Sequence, residues 1–154
     1  MLGYKLHTFK SVALVSLGLT LLSVNTLMTK IGDNPLITQN NVTVQIQEDY
    51  LNIRVVDLNQ PQILTISKIN NFNQGYLRGE IKVNGVKIQD IQNNITSVNL
   101  SPRLNRGMNR IEVGGEYQPL NSNVKIDFEG VSTSISQVIS GSGNISYILS
   151  IMVE

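Results

Sequence analysis

The sequence predicts an all-β fold, an antiparallel β-sandwich of about eight or nine short strands that follows an N-terminal hydrophobic helix. Three observations carry this. From residue 42 onward, apolar and polar residues alternate in short runs, the period of a half-buried strand. Turn-forming residues separate these runs at spacings near 8–12 residues, as in sandwiches and barrels. After Lys30 no segment shows the 3.6-residue apolar period of a helix.

The hydrophobic helix is read over Ser11–Thr29, an uncharged stretch that follows Lys5 and Lys10 and is closed by Lys30. Its apolar core, Val12–Leu22 (VALVSLGLTLL), fits the ~7–15-residue core of a secretory signal. A spanning helix wants about 20 apolar residues, and Ser23, Asn25, Thr26 and Thr29 dilute the second half. Residues 1–30 are therefore read as a signal peptide or a signal anchor. Val24-Asn25-Thr26 comes nearest to a cleavage site, and a lipid anchor is excluded because the chain has no Cys. The expected location is extracytoplasmic, whether periplasm, cell surface or medium. The alternative is a protein held in the membrane by residues 11–29.

Residues 31–41 form a polar lead-in in which Pro35 disfavours a helix, and residues 42–154 form the β-sandwich domain. Val42–Gln47 and Leu51–Val55 alternate strictly, with a turn expected at Glu48-Asp49-Tyr50. Asp57–Pro61 is a turn cluster before the β-branched strand Ile63–Ile69. After the break at Asn70–Gly75, Leu77–Val83 and Val86–Ile91 flank Asn84-Gly85. Asn-Gly between alternating runs signals a type I′ hairpin, because both positions accept positive φ. Ile95–Leu100 ends at Ser101-Pro102, and Met108–Val113 ends at Gly114-Gly115. Val124–Phe128, the weaker Ser132–Val138 and the long Ile145–Val153 complete the set. Ser140–Asn144 (SGSGN) reads as a hairpin loop between the last two.

Composition narrows the function. Twelve basic and eleven acidic residues give a net charge of +1, but Lys5, Lys10 and Lys30 lie in the leader. The body holds nine basic against eleven acidic groups, a net of −2, which is no footprint for nucleic acid. His7 is the single histidine and also lies in the leader, so the body cannot run a Ser–His–Asp or Cys–His mechanism. Nor can it build a His/Cys zinc site. No catalytic residue, metal ligand or cofactor is predicted.

A few groups invite a binding role. Arg103, Arg106 and Arg110 cluster around Leu104–Gly107 and suit a sulfated or carboxylated glycan or an acidic partner. The plainer reading is a polar loop bridged to acids such as Glu112 or Glu116. Tyr50, Phe72, Tyr76 and Tyr117 sit in or beside predicted turns, where aromatic rings stack on sugars or partners or else cap the open ends of a sandwich. Asp127 and Glu129 share one strand face and, with Glu48-Asp49, are the carboxylates available for a cation or a glycosidase-like pair. The plainer reading is a solvated face opposite Val124, Ile126 and Phe128. Four sequons, at Asn41, Asn94, Asn99 and Asn144, arise easily in so Asn-rich a chain.

Gly79–Gly85 (GEIKVNG), Val98–Leu104 and Gly107–Val113 (GMNRIEV) resemble a passage in extracytoplasmic β-sandwich modules of jelly-roll or Ig-like type. The stretch from Tyr117 to Val153 is similar to secreted cyanobacterial β-domain proteins of unassigned function. The resemblance implies core positions for Leu104, Ile111 and Val113 and turn positions for Asn84, Gly85 and Gly107. It transfers no binding residue. The expected function is a secreted or envelope-associated, non-enzymatic β-sandwich with a binding, adhesive or structural role. Its expected partner is a cell-surface glycan or envelope protein, and its ligand residues are Arg103, Arg106, Arg110, Tyr76 and Tyr117. The alternative is a carboxylate-based enzyme, or an accessory carbohydrate-binding module, acting on surface polysaccharide.

Overall fold

The computed structural model describes residues 20–21, 45–70 and 73–154, and over these it is all-β. The strands are β1 (Thr20–Leu21), β2 (Gln45–Ile53), β3 (Ile63–Lys68), β4 (Leu77–Val83), β5 (Val86–Ile91), β6 (Ile95–Asn99), β7 (Gly107–Tyr117), β8 (Asn123–Glu129), β9 (Ser134–Ser140) and β10 (Asn144–Val153). They form a six-stranded sheet in the order β1-β2-β10-β7-β4-β5 and a four-stranded sheet in the order β6-β3-β8-β9. The predicted leader, lead-in and helix lie outside the described residues, apart from the two residues of β1.

Period-2 alternation builds both sheets. In β3, Leu64 and Ile66 point inward, and in β8 Val124, Ile126 and Phe128 do the same. These meet Ile111 and Val113 of β7 and Leu149 and Ile151 of β10 in one continuous core. Each such side chain contributes roughly 1.5–3 kcal/mol by leaving water. Leu104, Ile111 and Val113 are buried, as the resemblance implies for them.

The hairpin at Asn84-Gly85 forms as read, with φ of 51° and 80° at its two residues. Four features differ from the sequence reading. The fold is not wholly antiparallel, because β10 runs parallel to β2 from Tyr147 opposite Gln47 to Val153 opposite Ile53. The expected turn at Glu48-Asp49-Tyr50 is instead the middle of β2. Ile46 and Leu51 are an odd number of residues apart, so one continuous strand must place them on opposite faces. The inward face is then Asp49, Leu51 and Ile53, and pairing along β10 holds the strand straight.

Gly114-Gly115 likewise ends nothing, since β7 runs through it to Tyr117. A Cβ on Gly115 would stand 2.4 Å from the Arg78 carbonyl oxygen, and one on Gly79 would stand 2.1 Å from that of Gly114. The two glycines thus allow β4 and β7 to approach, a packing role rather than a turn. Finally, Ser140–Asn144 is no hairpin. β9 pairs only with β8, and the chain crosses there to the other sheet to begin β10.

Candidate functional site

The outer face of the six-stranded sheet is a lattice of paired charges. Arg78 bonds Glu116 across β4 and β7, Arg110 bonds Glu112, Lys82 bonds Glu80, and Lys87 bonds Asp90 at 2.8 Å. Hydrogen bonds to these carboxylates raise the pKa of Arg78, Lys82 and Lys87 above their ordinary values. All three cations stay charged in solution, and each already has a partner.

Two openings interrupt the lattice. A shallow cleft of about 510 Å³ is lined by Arg78, Gly79, Asp90, Gln92, Glu116 and Asn144, among others. Gly79 and Gly115 contribute main chain to its lining between the polar side chains. At its rim the Arg78 guanidinium lies 4.6 Å from the centroid of the Tyr76 ring, a cation–π contact that fixes both. A second groove of about 270 Å³ opens above Gly114 and is lined by Glu80, Lys82, Arg110, Glu112, Ser146 and Ile148.

The predicted ligand residues therefore separate. Tyr76 stacks against Arg78, which lines the first cleft, and Arg110 lines the second groove. Arg103 lies in the 3₁₀ turn Ser101–Arg103 and Arg106 in the loop before β7, both exposed and neither lining these openings. Arg110 pairs with Glu112, which is the plainer of its two readings. Tyr117 is fully buried at the end of β7, so it is a core residue and not a stacking platform. Tyr50 projects outward from β2, and Phe72 lies outside the described residues.

The carboxylates are placed just as clearly. Asp127 is bridged to Lys125 on the outer face of the four-stranded sheet, and Glu129 is exposed on the same face. Asp49 is buried and accepts a 3.0 Å hydrogen bond from the Tyr147 hydroxyl. Burial and the neighbouring Asp49 carboxylate push the Tyr147 phenol far above its ordinary pKa, so it remains a donor. Among the described residues no group of three His, Cys, Asp or Glu side chains stands ready to hold a metal. No described helix is long and apolar enough to cross a membrane. Sequence reasoning missed Arg78, Gln92 and Asn144. The signal that could have pointed to them is the Gly79 and Gly114-Gly115 pattern inside alternating runs. No protein family, curated protein or solved structure matches this chain.

Proposed function

We propose that this protein is an extracytoplasmic, non-enzymatic β-sandwich that binds a hydroxyl-rich cell-surface glycan on the outer face of its six-stranded sheet. The cleft over Gly79 and Gly115 carries the reading. It offers donors and acceptors from Arg78, Asp90, Gln92, Glu116 and Asn144 around main chain, with the Tyr76 ring stacked against Arg78. Sugars are held by such convergent hydrogen bonds together with contact against a ring. Because Arg78 and its neighbouring cations are already paired, a neutral polyhydroxyl ligand suits the face better than a sulfated polymer. Export rests on residues 1–30, and kinship with jelly-roll or Ig-like secreted modules rests on the framework at Gly79–Val113. The full-length protein on a glycan array is expected to retain neutral polysaccharides, and Tyr76→Ala and Gln92→Ala are expected to weaken retention. Binding that survives both substitutions unchanged places the ligand elsewhere. Mass spectrometry of the exported protein tests the location, with an N-terminus near residue 26 for a cleaved leader and an intact Met1 for the anchor.

One observation favours the enzyme alternative: Glu80 and Glu112 line the same groove. A glycosidase needs two such carboxyls about 5–9.5 Å apart, one of them free to act as an acid. Both are ion-paired here, to Lys82 and Arg110. Release of reducing ends from a bound polysaccharide, abolished by Glu80→Gln or Glu112→Gln, would establish hydrolysis and overturn the binding-only reading.

A further inference from the structure

Asn-Gly occurs once in the chain, at Asn84-Gly85, and both residues stand exposed in the turn between β4 and β5. The same dipeptide is the one most prone to spontaneous deamidation. Glycine has no side chain to hinder its main-chain nitrogen as that nitrogen approaches the asparagine carboxamide. Here, however, the carboxamide is tied to β7 through both of its polar atoms. Its oxygen accepts from the Arg110 amide at 2.8 Å, and its nitrogen donates to the Asn109 Oδ1 at 3.2 Å. The Asn84 main-chain amide adds a third bond, to the Arg110 carbonyl at 2.8 Å. Asn109 is not free to turn away. It is fully buried, and Asn105 and Gly107 hold its side chain through bonds of 2.9, 2.7 and 3.0 Å.

We propose that Asn84 is a latent self-modification site, held unreactive by this lock and released when the hairpin tip opens. In the reaction the Gly85 nitrogen bonds to the Asn84 Cγ, closing a ring through Cβ, Cα and the main-chain carbonyl carbon of Asn84. The Cγ–Nδ2 bond breaks, and Nδ2 leaves as ammonia with the proton that Gly85 gives up. Water, the single co-reactant, then opens the ring at either carbonyl and leaves aspartate or isoaspartate at position 84. Ring closure requires Cγ to swing from β7 onto the Gly85 nitrogen, so both side-chain bonds must break first. Two such bonds together slow a step that needs them broken by about ten- to a hundredfold. The reaction therefore proceeds from a locally opened tip and does not need global unfolding. Loss of ammonia makes it one-way, and the product carboxylate has no proton to donate to Asn109. The tip thus keeps a record of its own opening as an added negative charge. The inference does not rest on glycan binding.

The full-length protein is incubated at mildly alkaline pH, folded in buffer or unfolded in urea. Trypsin then releases Asn84 in the peptide Val83–Lys87, where mass spectrometry separates amide from acid. Conversion in the folded protein is expected to be about ten- to a hundredfold slower than in the unfolded chain. Equal rates, or no conversion in the unfolded chain, overturn the proposal. Asn109→Ala, shown to be folded by circular dichroism, is expected to convert several-fold faster than the folded parent, because one of the two bonds is gone. A rate equal to that of the parent overturns the lock. Amide hydrogen exchange checks the coupling without any substitution. The Arg110 amide exchanges only after leaving the Asn84 oxygen, a step that the reaction also requires. Folding is thus expected to slow conversion at least as much as it slows that exchange. Conversion slowed less than the exchange would show reaction from the closed tip and overturn the proposal.

Discussion

The two sheets hide the same kind of surface and present different ones. Inward, Leu64, Ile66 and Phe128 of the four-stranded sheet are as buried as Ile111, Leu149 and Ile151 of the six-stranded sheet. Outward, the four-stranded sheet offers hydroxyls and one ion pair, with Thr65 and Ser97 hydrogen-bonded across β3 and β6 at 2.9 Å. The six-stranded sheet offers four ion pairs among its described residues and two openings, and it contains the parallel strand pair. Burial makes both sheets, but the openings and polar pairing make only one of them a candidate binding face.

The sharpest break in that comparison lies within the six-stranded sheet itself. Gly79 faces inward, where an added Cβ meets the Gly114 carbonyl oxygen at 2.1 Å, and a backbone atom cannot swing aside. Gly114 faces outward with nothing within 4 Å. Gly79→Val is expected to cost about 3 kcal/mol or more, or to prevent folding, by separating β4 from β7. Gly114→Val is expected to change stability by less than about 0.5 kcal/mol, since a β-branched residue suits an open strand position. Urea unfolding of the pair measures both, and equal costs would mean that the close approach does not support the sheet.

Next in size is the asparagine at the start of β7. Asn109 is fully buried, and its carbonyl accepts from the Asn105 amide at 2.9 Å and from the Asn84 side chain at 3.2 Å. Its amide donates to the carbonyls of Asn105 and Gly107 at 2.7 and 3.0 Å. One side chain thus ties the loop before β7 to the tip of the β4–β5 hairpin. Asn109→Ala leaves those groups unpaired and is expected to cost about 2–3 kcal/mol. Tyr147→Phe, which strips Asp49 of its donor, is expected to cost about 1–2 kcal/mol. Thr65→Val, on the exposed face of the other sheet, is expected to stay within about 0.5 kcal/mol. Thermal unfolding that ranked Thr65→Val beside Asn109→Ala would erase the contrast between the sheets.

These residues also show what a sequence can and cannot display. Asn84-Gly85 is legible because both residues carry the positive φ that the turn demands, and the flanking alternation supplies its two strands. Gly114-Gly115 looks like the same kind of punctuation, yet its reason is a neighbouring backbone far away in sequence at Arg78 and Gly79. Asp49 in a polar triplet looks like a turn residue, because its partner Tyr147 is 98 positions distant. The loop at Ser140–Asn144 is locally plain, but no local signal says that the next strand joins the opposite sheet. For the site, exposed Arg110 and Tyr76 were legible, whereas the cleft was not, since its lining comes from β4, β5, β7 and the start of β10, far apart in sequence. Tyr117 was misplaced because a tyrosine beside a Gly-Gly pair looks like a loop residue. The strand that buries it runs through that pair.

The smallest expected effect lies where the two sheets connect. After β2 the chain makes a 3₁₀ turn, Val55–Asn59, whose Asp57 carboxylate is gripped by Arg54 through its guanidinium at 2.8 Å and through its backbone amide. The Asp57 carbonyl in turn accepts from Gln62, whose own backbone amide bonds Asn99 and Ser101 at the end of β6. The Arg54 hydrogen bonds hold the Asp57 carboxyl below its ordinary pKa of 3.8. A carboxyl depressed in the folded state contributes stability that is fully present above the unfolded value. That stability is lost as pH falls through the folded value. Arg54→Ala is therefore expected to be slightly less stable than the parent protein at neutral pH. The gap should hold down to about pH 4 and close below it, as Asp57 takes up its proton in both proteins. Arg54 is largely exposed, so salt should shrink the gap as well. A gap that persisted unchanged at pH 2 would assign the role of Arg54 to the packing of its side chain rather than to its charge.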